Sequence, residues 1–200
     1  TSGPRILLHF DLENAPEGRA PMGSDVGLSE TPQFTVRAMG DFRQRPGCPE
    51  ATRQRLSAER LRDLCLDECY HPDDRRHLVD RIEVVRIRPQ TFPEEPLGDL
   101  IEDPWRVFTC PPDEAGCIVT FDDPDFVENN RETVYYVRAL QEPTPAVNGD
   151  PMRCDRDADG HCLQGHSCPA AGPNFDPEDD CLSMVRERAW SSPIFVRGRD

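Results

Sequence analysis

Thr133-Val-Tyr-Tyr-Val-Arg-Ala-Leu-Gln141 is the stretch that decides the fold class. Its β-branched and aromatic residues suit a pleated, half-buried surface, and it is the clearest strand in the chain. Arg81-Ile-Glu-Val-Val-Arg-Ile-Arg88 is a second strong strand, apolar in part on both faces, as a central strand would be. Gln33 to Met39 sets Phe34, Val36 and Ala38 against Gln33, Thr35 and Arg37, the period of two of a half-buried strand. Pro4 to Phe10 is a short apolar strand, and Trp190 to Val196 is a closing one. Trp105 to Cys110 and Cys117 to Phe121 flank a turn-rich segment and predict a hairpin.

Between these strands the pattern changes. Ala58, Leu61, Leu64 and Cys65 recur at helical spacing among Arg and Glu, so an amphipathic helix is expected. It starts between Pro49 and Ser57 and ends near Tyr70, before Pro72. Glu13 to Gly27 is rich in Pro, Gly and acid and reads as a loop. Residues 143–181 form a Cys- and Asp-rich excursion within one β-rich domain covering residues 1–200. Irregularly spaced strands, one helix and no βαβ rhythm predict a mainly β fold. The expected architecture is an antiparallel β-sandwich with one amphipathic helix and a long disulfide-tethered loop.

Composition narrows the function. The net charge is −15, and all 23 basic residues are Arg. Such an acidic surface repels phosphates and anionic lipid, which argues against nucleic acid as a partner. No stretch is apolar enough to span a bilayer. Nine cysteines in 200 residues point to an oxidising, extracytoplasmic setting, periplasmic or secreted. Nine is odd, so one thiol is free or pairs elsewhere. The opening Thr1-Ser2-Gly3-Pro4, without Met, suggests a piece of a larger protein.

Four groups of residues could carry chemistry. Asp155, Asp157 and Asp159, followed by Gly160, match the first half of a calcium loop, where alternate carboxylates converge on a hard cation. Position twelve would be His166 instead of Glu, so closure would fall to Asp179, Asp180 or their acidic neighbours. Cys154, Cys162, Cys168 and Cys181 bracket this loop, and two disulfides among them allow three pairings. Cys110 and Cys117, at the bases of the expected hairpin, form the best single disulfide pair. Cys48 is expected to pair with Cys65 or Cys69, leaving the other as a free thiol. A zinc reading of Cys65, Cys69, His71 and His77 lacks a tight finger spacing. No Gly-x-Ser-x-Gly elbow surrounds Ser191 or Ser192, and Trp105 and Trp190 are read as core plugs.

Thr1-Ser-Gly-Pro-Arg-Ile6, the Pro21-Met-Gly23 turn, residues 81–89, Val134 to Ala139 and Glu187 to Ile194 together resemble the C-terminal part of the domain-of-unknown-function family 3604. Members of that family are similar to PHP-type hydrolases, whose (β/α) barrel carries His and Asp ligands for divalent metals. The resemblance implies that the barrel and its catalytic metals lie upstream, that no catalytic residue is in this chain, and that Arg5 or His9 alone could reach toward an active site. It makes the upstream barrel of the same chain the partner and leaves the hydrolase substrate open, with a phosphoester as the candidate. A calcium-stabilised extracellular module for glycan or another ligand is the competing expectation, and a structural spacer a third.

Overall fold

A computed structural model of the chain describes residues 5–66, 68–129, 131–147, 154–165 and 182–198. The protein is mainly β, with disulfides and, among the described residues, three short helices. It divides into two compact units, Thr1–Gln141 with Arg188–Asp200, and Glu142–Glu187.

In the first unit, β1 (Leu7–Ala15), β2 (Gly18–Pro21), β4 (Gln33–Met39) and β9 (Cys117–Asp122) form a four-stranded sheet in the order β2-β1-β4-β9. A second sheet runs from β3 (Asp25–Leu28) through β14 (Ile194–Gly198), β10 (Thr133–Val147) and β7 (Val79–Ile87) to β8 (Ile101–Thr109). The last long strand, β13 (Leu182–Trp190), also pairs with β10. The pairs β1–β2, β1–β4, β4–β9, β10–β14, β10–β7 and β7–β8 are antiparallel, and β14 with β3 is parallel.

Register follows from which side chains must leave water. Phe10 lies opposite Val36, Leu12 opposite Phe34, and Phe34 opposite Phe121, so one phase of the first sheet is continuously apolar. Val137 faces Val84 and Ala139 faces Ile82 in the second sheet. The two inner faces meet through aromatic rings. Phe34 stacks on Phe121 at 5.0 Å and on Phe10 at 5.4 Å, and it reaches Tyr135 of the opposite sheet at 4.7 Å. Trp105 and Phe108 of β8 close around Phe121 at 6.1 Å and 5.8 Å. This is a β-sandwich with an aromatic centre.

Four expectations need correction. The strands around residues 111–116 are not a hairpin: β8 pairs with β7 and β9 with β4, in different sheets. Cys117 and Phe121 find better apolar partners opposite Ala38 and Phe34, and the connection between the strands is long enough to change sheets. The Cys110–Cys117 disulfide, with Cα atoms 5.6 Å apart, spans this crossing. Gly116 is required here: its φ is +100°, and a β-carbon would lie 2.3 Å from the Ala38 carbonyl oxygen.

The single amphipathic helix is two short ones, α1 (Glu50–Arg55) and α2 (Ala58–Cys65). Ser57 starts the second afresh, its hydroxyl accepting from the Arg60 amide at 3.1 Å. Neither helix buries a residue, so the Leu61 and Leu64 stripe is not part of the core. The third, α3 (Asp125–Asn129), buries Phe126.

The Glu13–Gly27 loop holds the end of β1, the whole of β2 and most of β3, short edge strands that tolerate Pro and Gly because one side stays unpaired. The closing strand is broken at residues 191–193, where the Ser191 hydroxyl accepts from the Val137 amide at 3.0 Å and its own amide donates back at 3.0 Å. Within the second unit, β11 (Cys154–Arg156) and β12 (Cys162–Gly165) pair as a small hairpin. Returning to the first unit, β5 (Phe42–Pro46) and β6 (Tyr70–Arg76) form another.

Residues between β7 and β8 are organised by Glu95. Its carboxylate accepts from Arg131 at 2.6 and 2.7 Å and from the Thr91 amide at 2.8 Å. The Arg131 guanidinium, and then the Thr91 amide, hold the Glu95 pKa down at about 2.

Truncating the ring at the centre should leave an unfilled cavity. Phe34→Ala is expected to cost about 3–5 kcal/mol, with Phe34→Leu costing less, read from urea unfolding curves. Glu95 is expected to titrate near pH 2 in carboxyl-detected NMR. The depressed folded value means its stabilisation is present above the ordinary Glu range and is lost as pH falls through 2. Arg131→Ala should return the midpoint toward the ordinary glutamate value.

Candidate functional site

The acidic run sits at the tip of the β11–β12 hairpin. Asp155 is in strand β11 opposite Gln164, and the turn itself is Asp157 to His161. Gly160, at φ +84°, provides the left-handed step. One Asp157 carboxylate oxygen accepts from the Asp159 and His161 amides at 3.0 and 2.8 Å, and the other lies 3.2 Å from His161 Nδ1. The His161 amide is the main cause of a lowered Asp157 pKa. Ligand atoms of Asp157, Asp159 and His161 lie within 4.8 Å of one another, a group that omits Asp155. Asp179, Asp180, Cys168 and Cys181 lie outside the described residues, as does the Cys154 side chain. Cys162 is disulfide-bonded.

Cys48 and Cys69 are joined, and Cys65 carries a free thiol. The zinc reading therefore loses Cys69, since a disulfide sulfur is not a thiolate ligand. His71 is also engaged, its Nδ1 2.7 Å from the Gly47 carbonyl oxygen.

A buried gathering of ionisable groups is one that sequence reading missed. Arg86 is 4% exposed and Asp123 is 1% exposed. Arg86 donates to Asp123 at 2.8 Å and to both Glu102 oxygens at 2.6 and 3.0 Å, while its guanidinium lies 4.2 Å from the Trp105 ring centre. The Tyr135 hydroxyl donates to the second Asp123 oxygen at 2.6 Å, and Asp125 donates its amide to the first at 3.1 Å. Arg88 shares Glu102 at 3.0 Å, so one buried and one half-buried carboxylate face two cations. Burial, then the Asp123 charge, pushes the Tyr135 pKa up. Burial works against the Arg86 charge, but the Glu102 and Asp123 hydrogen bonds outweigh it and hold the guanidinium protonated.

This cluster acts as a structural lock. Its hydrogen bonds run between protein groups and tie β7, β8, β10 and the β9–α3 junction together. The available signal was Arg86 itself, which breaks an apolar run on the phase occupied by Ile82 and Val84.

The outer faces differ. On the second sheet, Glu83 pairs with Arg81 and Arg138 at 2.8 Å each, and Arg138 also pairs with Asp103. On the first sheet, Leu7 is 49% exposed and Ile118 is 70% exposed. With Met39, His9 and Arg37 they line a cleft of about 190 Å³. Beside it Asp11 lies 3.4 Å from Arg37 and 3.7 Å from Arg19. Arg5 and His9 are both exposed. Trp105 packs on the core as expected, whereas Trp190 is 56% exposed because β13 ends there, before the Ser191–Pro193 break.

No described helix is long and apolar enough to cross a membrane. The chain matches no family model, no curated protein and no solved structure.

Removing one partner from the lock should be far worse than trimming its edge. Asp123→Ala is expected to cost about 3–5 kcal/mol, because it takes the one fully buried carboxylate from Arg86 and leaves the Tyr135 hydroxyl without its acceptor. Tyr135→Phe is expected to cost about 1.5–3 kcal/mol through the lost charge-assisted hydrogen bond. Chemical denaturation of the two variants and their double mutant checks both, and the double mutant should fall short of additivity.

Proposed function

We propose that this chain is the non-catalytic C-terminal β region of an exported, PHP-like metal-dependent hydrolase. It packs against the upstream barrel of the same protein through the outer face of its four-stranded sheet. The observation that carries this reading is the apolar end of that face. Leu7, Met39 and Ile118 lie on three neighbouring strands and leave substantial apolar surface in water. The opposite sheet, by contrast, turns ion pairs outward. Burying the two large exposed side chains would be worth about 1.5–3 kcal/mol each.

Several features support the reading. Two of the segments that carry the family resemblance are the central strands β7 and β10, and a third leads into β1, the strand bearing Leu7 and His9. The ionisable groups that converge in the interior are spent on the Arg86 lock, and catalysis is left to divalent metals on the barrel. The disulfides favour an extracytoplasmic location. Arg5 and His9, exposed at the start of β1 and on its outer face, are the residues placed to approach the barrel.

A second reading, a calcium-stabilised ligand-binding module, draws on the Asp157, Asp159 and His161 group and separately on the exposed Trp190 ring.

The preceding segment of the gene is expected to encode a His- and Asp-rich metal cluster, and its absence would sink the hydrolase reading. With that segment supplied in trans, Leu7→Asp and Ile118→Asp should each weaken association about tenfold or more, leaving the melting temperature of this chain unchanged. The isolated chain should not hydrolyse p-nitrophenyl phosphate with Mn²⁺ or Zn²⁺. Its melting curve should be the same in Ca²⁺ and in chelator; a rise with Ca²⁺ would favour the second reading.

A further inference from the structure

The free thiol of Cys65 is not isolated. Cys48 follows β5, Cys65 is the last residue of α2, and Cys69 precedes β6. Their three sulfur atoms lie within 4.8 Å of one another, and all three residues are only half-buried. Two are joined and the third is free.

The local chain produces this arrangement. The β5–β6 hairpin pairs Pro46 with Tyr70, and the Gly47 amide donates to the Cys69 carbonyl at 2.6 Å, which brings Cys48 and Cys69 to a Cα separation of 5.1 Å. The helical excursion then returns to the mouth of the hairpin. Leu66 ends α2 in the left-handed region at φ 50°, and the Glu68 amide donates to the Cys65 carbonyl at 2.8 Å. Leu66 takes a backbone conformation that L side chains seldom adopt, so the turn that aims Cys65 at the disulfide is held against a local preference.

We propose that Cys48, Cys65 and Cys69 form an intramolecular thiol–disulfide exchange site. The Cys65 thiol gives its proton to water, and the thiolate attacks either sulfur of the Cys48–Cys69 bond. A new S–S bond forms as the old one breaks. The electron pair leaves on the displaced sulfur, which takes up a proton. Nothing is oxidised or reduced overall, and no external reagent enters.

Each product tethers the segment differently. The Cys48–Cys69 bond closes the hairpin mouth. A Cys48–Cys65 bond ties the start of α1 to the end of α2 and frees Cys69. A Cys65–Cys69 bond frees Cys48. The free thiol is thus shared among three positions, and the helical excursion changes its anchor as it moves. This chemistry is independent of what the four-stranded sheet docks against.

The test is to label the folded, unreduced chain slowly with iodoacetamide, then cleave after Arg and Glu without reduction. Cleavage at Arg62 and Glu68 separates the three cysteines. One label per chain is expected in this set, distributed over Cys48, Cys65 and Cys69. Cys65→Ser should lose the label from all three, which separates exchange from incomplete oxidation. Cys48→Ser should shift the bond to Cys65 and Cys69 and leave no free thiol in the set. Label confined to Cys65, or two free thiols in Cys48→Ser, overturns the proposal.

Discussion

The buried pairing of Arg86 with Asp123 is the constraint on which the sandwich depends. Taking a guanidinium and a carboxylate out of water costs several kcal/mol per ion, and attraction returns this only with near-complete hydrogen bonding. Here that condition is met by Glu102, Tyr135, the Asp125 amide and Arg88. The groups come from β7, β8, β10 and the end of β9, so the network forms only when strands of both sheets are in register. A slip of one residue would turn Arg86 outward and point Val85 or Ile87 at Asp123. The pair therefore selects one register among several that hydrophobic burial alone would tolerate.

Aromatic packing works on the same geometry. Phe34 touches Phe10, Phe121 and Tyr135, and the Tyr135 hydroxyl is the point where that cluster meets the ionic one. Apolar area supplies the driving force and the polar end fixes the alignment. The outer faces are of different character: one sheet exposes Leu7 and Ile118, and the other carries ion pairs around Glu83 and Arg138.

Covalent links are concentrated where packing is thin. The Cys110–Cys117 bond spans the step between sheets, and Cys48–Cys69 closes a hairpin whose helical insertion buries nothing. Cross-links limit the unfolded ensemble most usefully where few side chains leave water. The same reasoning explains the sulfur cluster. A segment with little core of its own is held by a bond, and a third thiol brought within reach makes that bond exchangeable.

The sequence determined the strands whose residues decide their own conformation. Period-two alternation marked β4, and β-branched and aromatic runs marked β7 and β10, because burial of one face is written directly into residue order. The cysteine set was equally legible as a set: Cys110 with Cys117, and Cys48 with one of two neighbours. Tertiary structure alone decided the rest. Which sheet β8 and β9 joined depended on partners opposite Ala38 and Phe34, far away in the chain. Whether the Ala58–Cys65 stripe found a core to face was likewise a matter of neighbours, and it did not. Arg86 and Asp123 are thirty-seven residues apart, and nothing local announces that a charge in an apolar strand has a partner waiting. Periodicity reports which side of an element is apolar, but only the assembled sandwich says what that side meets.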